Sequence, residues 1–283
     1  MGKQPITICF AARKGGVGKS FLAVNVGAFL RAEGKRVLII GCDDQDDIAR
    51  RYLIETDFDP EDCTTLSDVL LDDLDPHDAI YQTREYPLYR WHSTFGIVTR
   101  IRQGRETATL DFMPAGRRMD EITYDSSDGF APDMLSGIVE RVSDEYDYVL
   151  FDTPPSDADI SMYAYAASSY VLVPFTSVDD FDSIGRVAST IDVLNAPKKN
   201  GRQYHIELLI GLNRYKSASP LSVQLREAVS EDMGERVLSS TIRDSGQADN
   251  AKADGAPLAF YTKTPIGADL YLFTKELIEI VEN

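Results

Sequence analysis

Seven residues, Lys14-Gly15-Gly16-Val17-Gly18-Lys19-Ser20, constrain this chain more than any others in it. They follow a short apolar run, Ile6–Phe10. They precede a segment in which Leu22, Val26, Phe29 and Leu30 recur at helical spacing until Gly34 ends it. A glycine-rich turn leading from a buried strand directly into a helix lets successive backbone N–H groups curl inward. The helix N-terminus adds partial positive charge to the same spot. Such a turn is a cradle for phosphate groups, with Lys19 reaching the β- and γ-phosphates and the Ser20 hydroxyl available to Mg2+. The strict pattern G-x-x-x-x-G-K-S/T is not met, because Arg13 holds its first position.

Further strand-like runs are Val37–Ile40, Leu110–Met113, Tyr148–Phe151, Tyr170–Val173 and Leu208–Leu212. Between them lie helical faces, such as Leu135, Ile138, Val139 and Val142. Ser219-Pro220 reads as an N-cap followed by proline at the first helical position, opening a helix through about Val229. Short continuous apolar strands alternating with helices predict an α/β fold, a doubly wound and mostly parallel sheet flanked by helices. No Pro/Gly linker or repeat divides the 283 residues, so residues 1–283 are expected to form one domain with an insertion at about 84–109. Five arginines (Arg84, Arg90, Arg100, Arg102, Arg105) and Tyr86, Tyr89, Trp91 and Phe95 crowd that insertion, which reads as an extended loop or hairpin.

The net charge of −17 argues against a protein that coats nucleic acid or anionic lipid with its whole surface, while leaving room for local basic patches. Three cysteines without regular spacing exclude a disulfide scaffold and suit a reducing cytosol. No stretch approaches the roughly 18 apolar residues of a membrane span.

The loop resembles the deviant Walker A motif of the ParA/MinD family of ATPases, closest to the ParA/Soj-type partition ATPases. Other segments carry the same resemblance. Gly41-Cys42-Asp43-Asp44-Gln45 resembles the D-x-D-P-Q stretch after the second strand. Asp152-Thr153-Pro154-Pro155-Ser156 is similar to the Walker B strand end and switch, and Gly211-Leu212-Asn213-Arg214 to the strand that meets adenine. The resemblance implies a Mg2+-dependent ATPase that forms a nucleotide-sandwich homodimer. In it, Lys14 would reach the partner subunit's phosphates, and Gly15, Gly16, Val17, Gly18, Lys19, Ser20 and Phe21 would bind ATP. Ser20 and Asp152 would serve the metal, Asp43 would orient the attacking water, and Asn213 and Arg214 would read the base. The chain departs from the family at Gly41, where the first aspartate of D-x-D is missing. It departs again at Phe21, where the family often has threonine. Gly41-Cys42-Asp43 also looks like nitrogenase iron proteins, but the later cysteines that would hold a cluster are missing.

The resemblance further implies nonspecific DNA binding by the ATP dimer and a ParB-like adaptor, with a cytoplasmic, nucleoid-associated location. Residues 186–226 carry Arg186, Lys198, Lys199, Arg202, Arg214, Lys216 and Arg226 against Asp192 and Glu207, a local +5. Arg186, Lys198, Lys199, Arg202, Lys216 and Arg226 are therefore DNA-contact candidates. The C-terminal segment, Leu270 to Asn283, has a helical apolar face and one lysine against three glutamates. It reads as a core helix docked on the sheet, and no membrane partner is expected. Two other readings stay open: an ATPase scaffold that positions a protein cargo, and an ATP-binding switch with little hydrolysis.

Overall fold

Residues of alternating side-chain direction in the strands fill two separate cores, one on each face of a single sheet. The structure, a computed structural model, describes residues 4–53, 59, 62–123, 133–155, 158–197 and 203–283. Ser156, Lys198, Lys199 and Arg202 lie outside the described residues.

Among the described residues the sheet has eight strands in the order β10-β9-β8-β1-β7-β2-β6-β3. They are β1 (Ile6–Phe10), β2 (Val37–Gly41), β3 (Tyr81–Gln82), β6 (Asp111–Met113), β7 (Tyr148–Asp152), β8 (Tyr170–Phe175), β9 (Glu207–Tyr215) and β10 (Val237–Arg243). All pairings are parallel except that of β3 with β6. The six sequence-derived strands all appear, extended by a residue or more in most cases. The edge strand β10 has no counterpart among them: in VLSSTIR only Leu238 and Ile242 are buried, too sparse an apolar signal for periodicity.

On one face α1 (Lys19–Ala32), α2 (Asp47–Tyr52), α8 (Gly246–Ala253) and α9 (Pro265–Val281) pack over Ile8, Phe10, Ile39, Leu150 and Leu172. On the other, α3 (Leu66–Asp72), α4 (Met134–Arg141), α5 (Asp159–Ala166), α6 (Phe181–Asn195) and α7 (Pro220–Met233) cover Cys9, Leu38, Ile40, Val149 and Val171. Removing a large side chain from either core would cost several kcal/mol, about 2–5 for leucine to alanine. The C-terminal helix α9 is indeed a core helix, burying Leu270, Phe273 and Leu277, and the Thr264 side chain caps it by accepting from Gly267 N. The helix read from Ser219-Pro220 begins as expected, with the Ser219 side chain as cap, and runs on to Met233. No helix among the described residues is long and apolar enough to cross a membrane.

The segment expected to be an insertion contains a two-stranded antiparallel ribbon, β4 (Tyr86–Thr94) and β5 (Ile97–Ala108), separate from the main sheet. Its inner face lies against the α1 and α9 side of the molecule. Trp91 meets the Phe29 ring edge-on at 5.1 Å, and its Nε1 donates to Ala259 O at 3.0 Å. Two arginines that look like surface charge in the sequence are structural anchors. Arg84 Nη2 donates to Asp254 O at 2.6 Å, and Arg100 stacks over Tyr89 at 3.8 Å while donating to Tyr261 O.

On the far side, His77 is held between two carboxylates, Nδ1 to Asp75 Oδ1 and Nε2 to Glu145 Oε1, each at 2.6 Å. Hydrogen bonding to Asp75, then to Glu145, raises the His77 pKa above its ordinary 6.5. A histidine whose folded pKa lies above its unfolded value stabilises the fold fully below about pH 6.5, and that contribution disappears as pH rises through the folded pKa. NMR titration should therefore find the His77 midpoint above 6.5, and Glu145→Gln should lower it. In the same variant the fall in thermal midpoint from pH 6 to pH 8 should shrink; an unmoved midpoint would exclude the clamp.

Candidate functional site

Register places the site. Phe10 pairs with Asp152, and Asp152 with Gly41, so β1, β7 and β2 end level at the C-terminal edge of the sheet. The loops after them converge there, as ligand-binding loops do in open parallel sheets. The glycine turn follows β1 and runs into α1, with Gly16 at φ 78° and Gly18 at φ 99°. Gly18 is the N-cap of α1 and supplies no side-chain cap, so the first turn of the helix presents its N–H groups to the cleft rather than to a capping oxygen. A Cβ at Gly18 would stand 2.4 Å from Asn213 Nδ2, and glycine is required there on two counts.

The cleft in front of the turn measures about 280 Å³. Its floor is Gly15, Gly16, Gly18, Lys19, Ser20 and Phe21; its walls include Asp43, Gln45, Asn213, Arg214, Arg243 and the α8 residues Ala248, Asp249 and Lys252. The Lys19 side chain is only 7% exposed. Burial pushes its pKa down, against the pull of the Asp152 and Asp43 carboxylates. A smaller cavity continues beneath, lined by Ser20, Gly41, Asp43, Asp46, Ile48, Phe112 and Asp152. Asp152 is 3% exposed, and burial holds the half-buried Asp43 above the usual carboxylate range.

Of the residues singled out in the sequence, Gly15, Gly16, Gly18, Lys19, Ser20, Phe21, Asp43, Asn213 and Arg214 all line the cleft, and Asp152 lies below it. Val17 is buried and does not line it; its carbonyl accepts from Asn213 Nδ2 at 2.9 Å, tying the base-side strand to the turn. Lys14 points elsewhere. Its Nζ lies 3.3 Å from Asp180 Oδ1 and 3.6 Å from Asp179 Oδ2, and it donates to Ser177 Oγ at 3.3 Å. These contacts, the bond to Asp180 first, raise the Lys14 pKa.

Asp180 is a site residue that sequence reasoning misses. It is 1% exposed, and its Oδ2 accepts from Thr176 N, Thr176 Oγ1 and Ser177 N, which turns the chain from β8 into α6 and leaves Oδ1 facing Lys14. The available signal is a capping box, Ser177 with Asp180, directly after a strand. Asp46 is another. It has φ 47°, and its two oxygens accept from Ala115 N at 2.9 Å and Gly116 N at 3.1 Å, fixing the loop after β6 beside the lower cavity.

Gly41 has a local reason. A Cβ there would come 3.2 Å from Phe112 Cζ and 3.4 Å from Ala115 N, so a side chain would require the ring to give by a few tenths of an ångström. Among the described residues no three His, Cys, Asp or Glu side chains converge to hold a metal by themselves. Ser20 with flanking carboxylates suits Mg2+, which prefers one or two protein oxygens completed by phosphate oxygens and water.

The DNA-contact candidates are partly engaged. Arg186 Nε pairs with Asp182 at 2.9 Å, Lys216 with Asp244 at 3.2 Å, and Arg226 Nη2 donates to Ser239 O at 3.1 Å. The two ion pairs are exposed and easily exchanged.

An AAA-domain family profile matches residues 6–201. The sporulation initiation inhibitor protein Soj of Bacillus subtilis is 26% identical over 276 residues, 96% of each chain. The chromosome partitioning protein ParA of Caulobacter vibrioides is 26% identical over 282 residues, covering 96% of this chain and 93% of its own. Among solved structures, an ATP complex of a Cyanothece McdA variant superposes with a TM-score of 0.75 at 20% identity, over 98% of this chain and 97% of that one. The chain belongs to the AAA-domain family, as a member of its ParA/Soj type.

Restoring the family's aspartate tests the packing around Gly41. Gly41→Asp should lower stability by about 1–3 kcal/mol in urea unfolding, the range for overpacked cores. Phe112→Leu in the same chain should recover part of the loss. An unchanged urea midpoint in the single variant would mean that the Phe112 ring yields freely.

Proposed function

We propose that this chain is a Mg2+-dependent ATPase that pairs through bound nucleotide into a two-subunit sandwich, binds DNA without sequence preference in that state, and drives DNA partition with a DNA-bound adaptor. The observation that carries this reading is the division between the two lysines of one loop: Lys19 is buried in the cleft, while Lys14 stands outside it beside Asp180. A second cation held outside its own phosphate cradle is suited to another subunit's phosphates.

In the proposed reaction, water attacks the γ-phosphorus; the new O–P bond forms as the bond to the ADP oxygen breaks, and the water proton is released. The loop amides and Lys19 bind the β/γ-phosphates, and Asn213, Arg214 and Phe21 line the base side. The Ser20 hydroxyl would hold the magnesium together with phosphate oxygens, with Asp152 behind it, and the ion would supply charge neutralisation. Asp43 holds the water in line. Among the described residues no strong general base is at hand, so positioning and electrostatics carry the rate, and slow unassisted turnover follows. The location that fits is the cytoplasm, on the nucleoid.

A second reading, a scaffold that positions a protein cargo, is favoured by one observation. Arg186 and Lys216, two of the proposed DNA contacts, already have acidic partners. Electrophoretic shift of duplex DNA with ATP, ADP or no nucleotide at two salt concentrations separates the readings: the partition account expects binding with ATP alone, weakening with salt.

Two variants test the lysine division by sedimentation with a non-hydrolysable ATP analogue. Lys14→Ala should bind analogue but remain monomeric. Asp180→Asn keeps an acceptor for Thr176 and Ser177 while removing the negative charge beside Lys14, so it should dimerise at lower analogue concentration. Dimers in Lys14→Ala would contradict the cross-subunit role.

A further inference from the structure

The β4–β5 ribbon displays a surface that the fold does not use. Cross-strand partners share a face, so Arg90 with Ile101, His92 with Thr99 and Thr94 with Ile97 all face away from the body, and all six are exposed. Ile97 and Ile101 are each 67% exposed and Phe95 is 101% exposed. Among the described residues the three largest exposures of apolar side chains thus fall on one ribbon, two at its turn and one farther along its outer face. Clustered exposed apolar residues mark an interaction surface, where scattered ones do not.

The turn of this ribbon is strained. Phe95 and Gly96 form a two-residue loop with φ values of 49° and 77°, both positive, as a type I′ hairpin requires. Asn, Asp or Gly is favoured at the first of these positions, and a bulky side chain there is strained. Phenylalanine accepts that strain while its fully exposed ring packs on nothing that would offset it. A residue that costs stability and packs against nothing in its own fold is suited to a contact made with something else.

Charge selects the partner. From Tyr86 to Ala108 there are four arginines, one glutamate and no lysine, a net +3 on a chain of net −17. Arg100 is spent on the anchor, leaving Arg90 exposed across from Ile101 and Arg102 and Arg105 exposed farther along β5 toward the base of the ribbon. Aromatic residues and arginine with little lysine form the composition of a protein-binding surface. A phosphate backbone offers nothing to Phe95, Ile97 and Ile101. A second copy would bring the same net-positive ribbon, arginine against arginine, and among the described residues its other exposed apolar side chains, such as Leu74, Val193 and Leu221, are dispersed over other elements.

We infer that the outer face and tip of the β4–β5 ribbon dock an acidic, apolar segment of a partner protein, through Phe95, Ile97 and Ile101 with Arg90 beside them and Arg105 farther along β5. The mount is firm. Arg84, Tyr86 and Trp91 bond to the carbonyls of Asp254, Gly255 and Ala259, in the segment that follows the cleft-lining helix α8.

The test uses the full chain and three probes: a short labelled peptide alternating acidic with aromatic or aliphatic residues, its twin with lysine for every acid, and a DNA duplex. Phe95→Asn suits the turn better than the native residue, and Ile101→Thr keeps β-propensity, so both variants should fold, with thermal midpoints unchanged or raised. The acidic peptide should bind the native chain, and each variant should weaken it by at least about tenfold. Duplex affinity and sedimentation behaviour should stay unaltered in both variants. No binding of the acidic peptide, equal binding of the lysine twin, or retained affinity in both variants overturns the proposal. A loss of duplex affinity in the variants would assign the ribbon to nucleic acid, and a loss of self-association would assign it to a second copy; either also overturns it.

Discussion

Lys19 is a cation buried at the C-terminal edge of a parallel sheet, and the rest of the site is arranged around that costly placement. An ammonium taken out of water needs opposing charge or it gives up its proton. Asp152 and Asp43 provide that charge from the neighbouring strand ends, and the level register of β1, β7 and β2 puts them within reach. The same register brings the glycine turn to the edge of the sheet. There Gly18 admits Asn213 so closely that the loop and the β9 strand end act as one rigid piece. A preformed, partly positive cradle of this kind favours a multiply charged ligand without first having to be organised.

The loop carries a second lysine under opposite conditions. Lys14 is exposed, and its partner Asp180 is fully buried in the turn from β8 into α6. Because the backbone of Thr176 and Ser177 and the Thr176 hydroxyl hold the other carboxylate oxygen, the free side of Asp180 is aimed at the mouth of the loop. The positions of both lysines thus follow from where two strands of one sheet end. If Lys14 acts on another subunit, its exchange between Asp180 and a foreign phosphate couples assembly to nucleotide.

Much of this is legible in the sequence, and what is hidden there has physical causes. Continuous apolar runs reveal the six central strands because strands covered on both faces leave no polar alternation. Glycine spacing reveals the cradle because only glycine reaches φ 78° and 99° without strain. The edge strand β10 escapes because one of its sides is half wet. Arg84 and Arg100 read as surface charge because their acceptors, the carbonyls of Asp254 and Tyr261, lie more than 160 residues away. Asp46 and Asp180 are invisible for a similar reason: a carboxylate that caps a loop can be recognised only when the loop is in place. Gly41 reads in the sequence only as a missing aspartate, and the close approach of the Phe112 ring to its α-carbon is visible only once the fold is in place.

The central claim is that the glycine cradle and Lys19 form a triphosphate site completed by magnesium. Calorimetric titration of a non-hydrolysable ATP analogue into the full chain, with Mg2+ and again with chelator, tests it most directly. The account predicts one site per chain, clearly weaker without the metal and lost in Lys19→Ala. Unchanged affinity in Lys19→Ala, or no binding by the native chain with Mg2+ present, would contradict it.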